Sequence, residues 1–275
     1  MSFIIKIKGA DFSASGLPVL KQTVLGFPGE GLAGLYLFED GTVDAAHVGP
    51  FVDSSGREND AVVYSDFAAP VNRSYGLEVT DGSGLIIDTG IPQGGEFTVV
   101  ACLNNTMDSA VLDGYPTIFG DTGNNIPANK SASGSNNPRL SINMGLSGSS
   151  TNDIALFNNA GNLLNGATRV KVSESQYGSG NQPSILALTI SADTVGFRTF
   201  SGFDHSITDA DISAAYTGVA GTMAVGIWAH GSPDGISGRL YGYAIYDRAL
   251  SDTEIAEAMA AMNTRVAARG VVVVS

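Results

Sequence analysis

Apolar and polar positions alternate in short runs along most of this chain and change to a helical spacing once, near its end. Leu32, Leu35, Leu37 and Phe38 make a buried strand, and three more strands follow between residues 75 and 103, with turns at Asp81-Gly82 and Gly94-Gly95. Further runs at 116–120, 139–144, 154–157 and 224–230 continue the pattern, and 184–190 with 194–200 form a hairpin turning at 191–193. From Arg239 to Tyr246 the apolar residues crowd together, as in a strand covered on both faces. Ser251 then stands three residues before Glu254, a capping box, with Leu250 and Ile255 placed to close as a hydrophobic staple. Ile255, Met259, Met262 and Val266 continue one helical face, and Gly270 supplies the stop. The pattern predicts a chain rich in β-structure with one substantial helix, interrupted by a long polar loop at 121–138.

The two ends differ from the middle. Residues 1–30 begin with a short alternation, Phe3, Ile5 and Ile7 against lysines, and then turn small and polar. They are expected to be an arm that pairs with a neighbouring subunit, or else a first strand of the same sandwich. Residues 31–270 form the domain, and the closing Val271, Val272, Val273 and Val274 are expected to add a C-terminal strand over 271–275. An open edge of that kind must be covered, by the chain's own sheets or across a subunit boundary, and the boundary is favoured for at least one end.

Composition narrows the function classes. Of 275 residues 43% are apolar, enough for a large core, while only 15% are charged and 35 are Gly, which suits many short strands joined by turns. A formal charge of −13 argues against nucleic acid and against anionic membranes. Cys102 is the single cysteine and sits among Val99, Val100, Ala101 and Leu103, so it reads as a buried structural thiol. The N-terminal apolar run is broken by lysines and falls short of the roughly 7 to 15 residues of a signal peptide core. No stretch has the ~18 apolar residues of a membrane span.

The closing stretch also resembles a known family. Gly238, Leu240, Ile245, Tyr246, Arg248, Ala249, Leu250, Ser251, Glu254 and Ile255 are similar to the last strand and helix of laminin-G-like and pentraxin-like domains of the concanavalin A-like superfamily. Near the start, the apolar strand ending at Phe38 and Glu39, and the turn Asp53, Ser54, Ser55, Gly56, Asn59, look like the opening of the same family. The match departs at Tyr241 and Gly242, where many relatives carry an acidic pair. The resemblance implies an all-β, two-sheet antiparallel jelly-roll sandwich with one C-terminal helix.

Candidate chemistry is sparse. Carboxylates on alternate residues of one strand, as a glycosidase needs to flank a sugar bond, are not seen. Asp204, His205, Asp209 and Asp211 come nearest to a catalytic group, in a turn-rich stretch that favours solvated side chains. His47, His205 and His230 are scattered singly, without zinc-ligand spacing. Asp53 and Asn59 offer oxygen ligands for calcium, and the same turn can equally be held by Asx hydrogen bonds with no ion. Trp228, and Tyr241 with Tyr243 on one face of the closing strand, are expected to pack in the core.

The resemblance and the absence of an export signal together imply a non-enzymatic virion protein of a bacteriophage, on a tail, baseplate or capsid, made in the host cytoplasm. Its partners would be other virion proteins, copies of itself and a host surface glycan, with calcium as the one cofactor the sequence offers. A free bacterial lectin and a divergent polysaccharide hydrolase or lyase are the other two classes.

Overall fold

The computed structural model describes residues 23–65, 69–79, 85–92, 94–105, 117–121, 140–147, 151–158, 169–173, 182–208, 222–226 and 238–275. Among them are seventeen strands and one helix. In chain order the strands are β1 (Thr23–Val24), β2 (Phe27–Pro28), β3 (Leu32–Tyr36), β4 (Val62–Ser65), β5 (Val71–Arg73), β6 (Gly76–Val79), β7 (Leu85–Pro92), β8 (Phe97–Asn105) and β9 (Thr117–Asp121). Then come β10 (Leu140–Ser147), β11 (Thr151–Asn158), β12 (Arg169–Ser173), β13 (Ser184–Ser191), β14 (Thr194–Thr199), β15 (Asp204–Thr208), β16 (Thr222–Gly226) and β17 (Gly238–Tyr246). The helix, α1, spans Asp252–Ala267.

Two antiparallel sheets carry the fold. One runs β12-β11-β10-β9-β16-β7-β4; the other runs β15-β14-β13-β8-β17-β6-β5, with β3 added against β17. They pack face to face. Ile87, Ile91, Met223 and Val225 of the first sheet share one buried cluster with Leu103, Leu188, Tyr243 and Ile245 of the second. The alternate residues of the second sheet, Val100, Cys102, Ile185, Ala187 and Ala244, face the other way and are buried by α1 through Ile255, Met259, Met262 and Val266. The result is a two-sheet sandwich with a helix laid on the outside of one sheet.

Why β17 is covered on both faces now has a structural reason, and so does a departure from its expected pattern. The register with β8 shifts between Leu240 and Gly242, a β-bulge that inserts Tyr241. Tyr241 therefore joins the helix-side cluster while Tyr243 joins the inter-sheet core, so the two tyrosines do not share a face as expected. The bulge needs glycine at its second position, since a Cβ on Gly242 would lie 2.9 Å from Met262 Sδ. Arg269 closes the arrangement, donating to the Tyr241 carbonyl at 2.7 Å and to the Leu37 carbonyl at 2.7 Å. Cys102 is fully buried beside it, and burial pushes its thiol well above the usual range, as expected of a structural cysteine.

The capping box at α1 forms as expected. Ser251 Oγ accepts from the Glu254 N–H at 3.4 Å, and Glu254 Oε2 accepts from the Ser251 N–H at 2.9 Å. Ser251→Ala is expected to cost about 1 kcal/mol in a urea melt, the usual worth of such a cap. Arg248 grips the same carboxylate from the other side, Nη2 to Oε1 at 2.6 Å and Nη1 to Oε2 at 3.1 Å. The Arg248 bonds first, and the Ser251 N–H second, hold the Glu254 pKa down at about 2 against an ordinary 4.5. A depressed carboxylate stabilises the fold above its unfolded pKa, so this contribution is full above about pH 4.5 and is lost as pH falls toward 2. Melts from pH 6 to pH 2 are expected to steepen through that window for the native chain and to flatten in Glu254→Gln.

Both ends pack against their own chain where they can be seen. Residues 271–275 form no strand; the Val274 N–H donates to the Pro183 carbonyl at 2.9 Å and Val271 is buried in the helix-side cluster. The tail thus rests against its own chain at Val271 and Val274, while Val272 is exposed. Within residues 23–30, Phe27 is fully buried in that same cluster. The proposed strand of Phe3 to Lys8 lies outside the described residues, as do most of the 121–138 loop, Asp209, Asp211, Trp228 and His230.

Candidate functional site

Beside the start of α1 part of the outer face of its sheet is left uncovered, and that is where the candidate site lies. On this face the strand registers set side chains in cross-strand rows: Ala187, Arg198 and Asp204; Thr189, Gly196 and Ser206; Ser191, Thr194 and Thr208. Small and hydroxylated residues make a low bed. Beside it stand Ala249, Leu250, Asp252 and Ile255, from the turn and first turn of α1. Together they enclose an open groove of about 450 Å³, with hydroxyls along its floor and an apolar wall of Ala187, Leu250 and Ile255.

One cation organises the groove. Arg198 pairs with Asp204 through Nε at 3.1 Å and with Asp252 through Nη2 at 2.9 Å, which ties β14 to β15 and to the helix N-terminus. Burial pulls the Arg198 pKa down, but the two carboxylates outweigh it and the net shift is upward. Both partners are exposed, so the pairs add little to stability and serve chiefly to fix the guanidinium in place. Gly196 leaves space in the bed: a Cβ there would meet only Thr189 Cβ at 3.9 Å.

Of the residues singled out as nearest to catalytic chemistry, Asp204 and His205 do border this groove. They are on a strand and not in a turn, because β15 is an edge that pairs only with β14 and has no apolar face to reveal it in the sequence. His205 alternates with Asp204 and Ser206, and its ring lies near Phe203 with centroids 6.2 Å apart. His47 is elsewhere, buried and stacked on Phe51 at 3.8 Å, with Nδ1 against Asn72 Oδ1 at 2.9 Å. Arg198, Thr189 and Gly196 were not foreseen. Their alternation reads in sequence as the solvated side of a hairpin, and only the edge of α1 turns that side into a groove.

Asp53 and Asn59 are brought into one turn, and both Asp53 carboxylate oxygens accept hydrogen bonds there. Asp53 Oδ1 accepts from the N–H of Leu35 at 2.9 Å and of Ser55 at 2.8 Å; Oδ2 accepts from Ser55 Oγ at 2.7 Å and the Asn59 N–H at 3.2 Å. Asn59 Nδ2 donates to the Ala33 carbonyl at 2.8 Å, and the Asn59 carbonyl accepts from Tyr36 Oη at 2.6 Å. Four donors saturate a carboxylate, so calcium would have to displace bonds that hold β3. The hydrogen bonds are those of an Asx turn, the alternative the sequence offered to calcium. Among the described residues no three His, Cys, Asp or Glu side chains are grouped to hold a metal.

No family model and no curated protein matches this sequence. Solved structures share its fold. Domain 4 of AbnA, an extracellular arabinanase from Geobacillus stearothermophilus solved with arabinotriose, is 16% identical with a TM-score of 0.52, covering 83% of this chain and 98% of that domain. Trypanosoma rangeli sialidase is 13% identical with a TM-score of 0.52 over 86% of this chain. The binding domain of botulinum neurotoxin DC, solved with rat synaptotagmin II, is 12% identical with a TM-score of 0.51 over 84% of this chain. The likeness takes in 33% of the sialidase and 52% of the toxin domain. These likenesses show an all-β sandwich. They also overturn the expectation of a non-enzymatic protein: a sialidase and a domain of an arabinanase stand among them, so this architecture gives no ground for setting catalysis aside.

Proposed function

We propose that this chain is a carbohydrate-binding β-sandwich whose ligand lies in the groove between β13, β14, β15 and the start of α1. The observation that carries the reading is the lining itself: hydroxyls of Thr189, Ser191, Thr194 and Ser206, a fixed guanidinium and two carboxylates converge on a bed with an apolar wall. A sugar presents alternating hydroxyl and C–H surface, and such a lining meets both. The likeness to an arabinanase domain solved with arabinotriose, over nearly the whole of that domain, supports the same class of ligand.

The finer assignment is a concanavalin A-like jelly roll that rides on a bacteriophage particle and attaches it to a host glycan, with other virion proteins or further copies as partners. It rests on the laminin-G-like wording of residues 238–255, and mass spectrometry of purified virions tests it.

The site is tested by filling it. Gly196→Tyr places a ring in open space on a strand that tolerates aromatic residues. Glycan-array hits of the native chain, followed by calorimetry, are expected to weaken about 100-fold or more in this variant, as for any pocket whose volume is taken up. Its melting temperature is expected to hold. Binding that ignores the substitution would move the site elsewhere, and a blank array would sink the carbohydrate reading.

A further inference from the structure

We infer that the groove selects uncharged saccharides and rejects those bearing carboxylate or sulfate, an inference that rests on the carbohydrate reading of the same site. Arg198 is the only Lys or Arg among the residues lining the groove, and two carboxylates already hold it. An incoming sialate, uronate or sulfate would meet a guanidinium whose charge Asp204 and Asp252 already offset, and its own charge would lie against those two carboxylates. An uncharged sugar meets no such conflict. Asp204 and Asp252 also bring carboxylate oxygens to the groove, which accept from sugar hydroxyls.

The helix end does not reverse this balance. An N-terminus favours anions, but Asp252 and Glu254 already occupy the first turn of α1. At longer range the chain's net charge of −13 repels polyanions. Hydroxyls both donate and accept, so the rows of Thr189, Ser191, Thr194 and Ser206 match a polyhydroxy ligand, and Thr194 Oγ1, which donates to Asp193 Oδ1 at 3.0 Å, offers an anion no proton.

The test uses the full chain on an array divided into uncharged and anionic glycans, with calorimetry on arabinotriose, 3′-sialyllactose and the tightest hit of each half. Uncharged hits are expected to bind at least about tenfold more tightly than anionic ones of the same length, by like-charge exclusion. The gap should shrink in high salt. In the Asp204→Asn, Asp252→Asn double variant it should close, because the guanidinium is then free for an anion. Anionic glycans bound as tightly as uncharged ones by the native chain, with that binding lost in Gly196→Tyr, would overturn the inference and leave the carbohydrate reading standing. A blank array would defeat the carbohydrate reading and this inference with it. A gap that stays open in the double variant would show that Asp204 and Asp252 do not set the selectivity, and would overturn it too.

Discussion

Asp53→Ala is expected to lower the free energy of unfolding by roughly 3 to 5 kcal/mol, among the largest effects of any single substitution outside the apolar core. The carboxylate is buried and accepts four hydrogen bonds, two of them on Oδ1 from the backbone of Leu35 and Ser55. Removing it takes away the acceptor of the buried Leu35 N–H in β3, and each such orphan costs about 1 to 3 kcal/mol. Asn59 and Tyr36 then lose the turn that positions them, since the Asn59 N–H is one of the four donors. Asp53→Asn keeps the shape and one acceptor oxygen, and should cost less than Asp53→Ala. Urea melts of the two variants measure the difference. Because hydrogen bonds hold this turn, chelator and millimolar calcium are expected to leave the melting temperature unchanged; a calcium-dependent rise would restore the ion-binding alternative. A cost for Asp53→Ala below about 1 kcal/mol would show that the hub is not structural.

Much of this was legible because local signals and tertiary needs agree at one end of the chain. The cap, the staple and the helical face of residues 250–266 name their own partners within a few positions. The strand Gly238–Tyr246 likewise declared that both its faces are covered, since the inter-sheet core takes one and α1 the other. What could not be read is whatever depends on register across the sheet. A bulge at Tyr241 inverts which face follows, and nothing in a run of tyrosines and glycines marks it apart from Gly242. The groove fails to announce itself for the same reason. Ser191, Thr194 and Ser206 are ordinary solvated positions until the ladder aligns them and the helix start is set beside them. The Asx hub was open to two interpretations because Asp53 and Asn59 have the right oxygen chemistry for either, and the sequence could not show that Leu35, eighteen residues away, gives its N–H to the carboxylate. The C-terminal valines have strand propensity, yet a helix end and the Pro183 carbonyl use them first.

The second large effect is expected at Leu250, where Ala should cost about 3 kcal/mol, several times the cost of losing the Ser251 hydroxyl next to it. Leu250 is buried and precedes the cap of α1, in the cluster with Ile255, Met259 and Met262. Its backbone is fixed independently of its side chain: the Leu250 N–H donates to Thr98 Oγ1 at 2.9 Å, and Thr98 Oγ1 donates to the Arg248 carbonyl at 3.1 Å. A turn pinned to β8 in this way cannot relax inward when the isobutyl group is removed, so the cavity persists and the cost lies well above that of transfer alone. The same side chain forms part of the groove's apolar wall, so glycan affinity should fall as well, while the Arg198 pairs remain. A Leu250→Ala variant as stable as Ser251→Ala would mean that the strand-to-helix closure is held by its polar cap and by Thr98, with the staple contributing little.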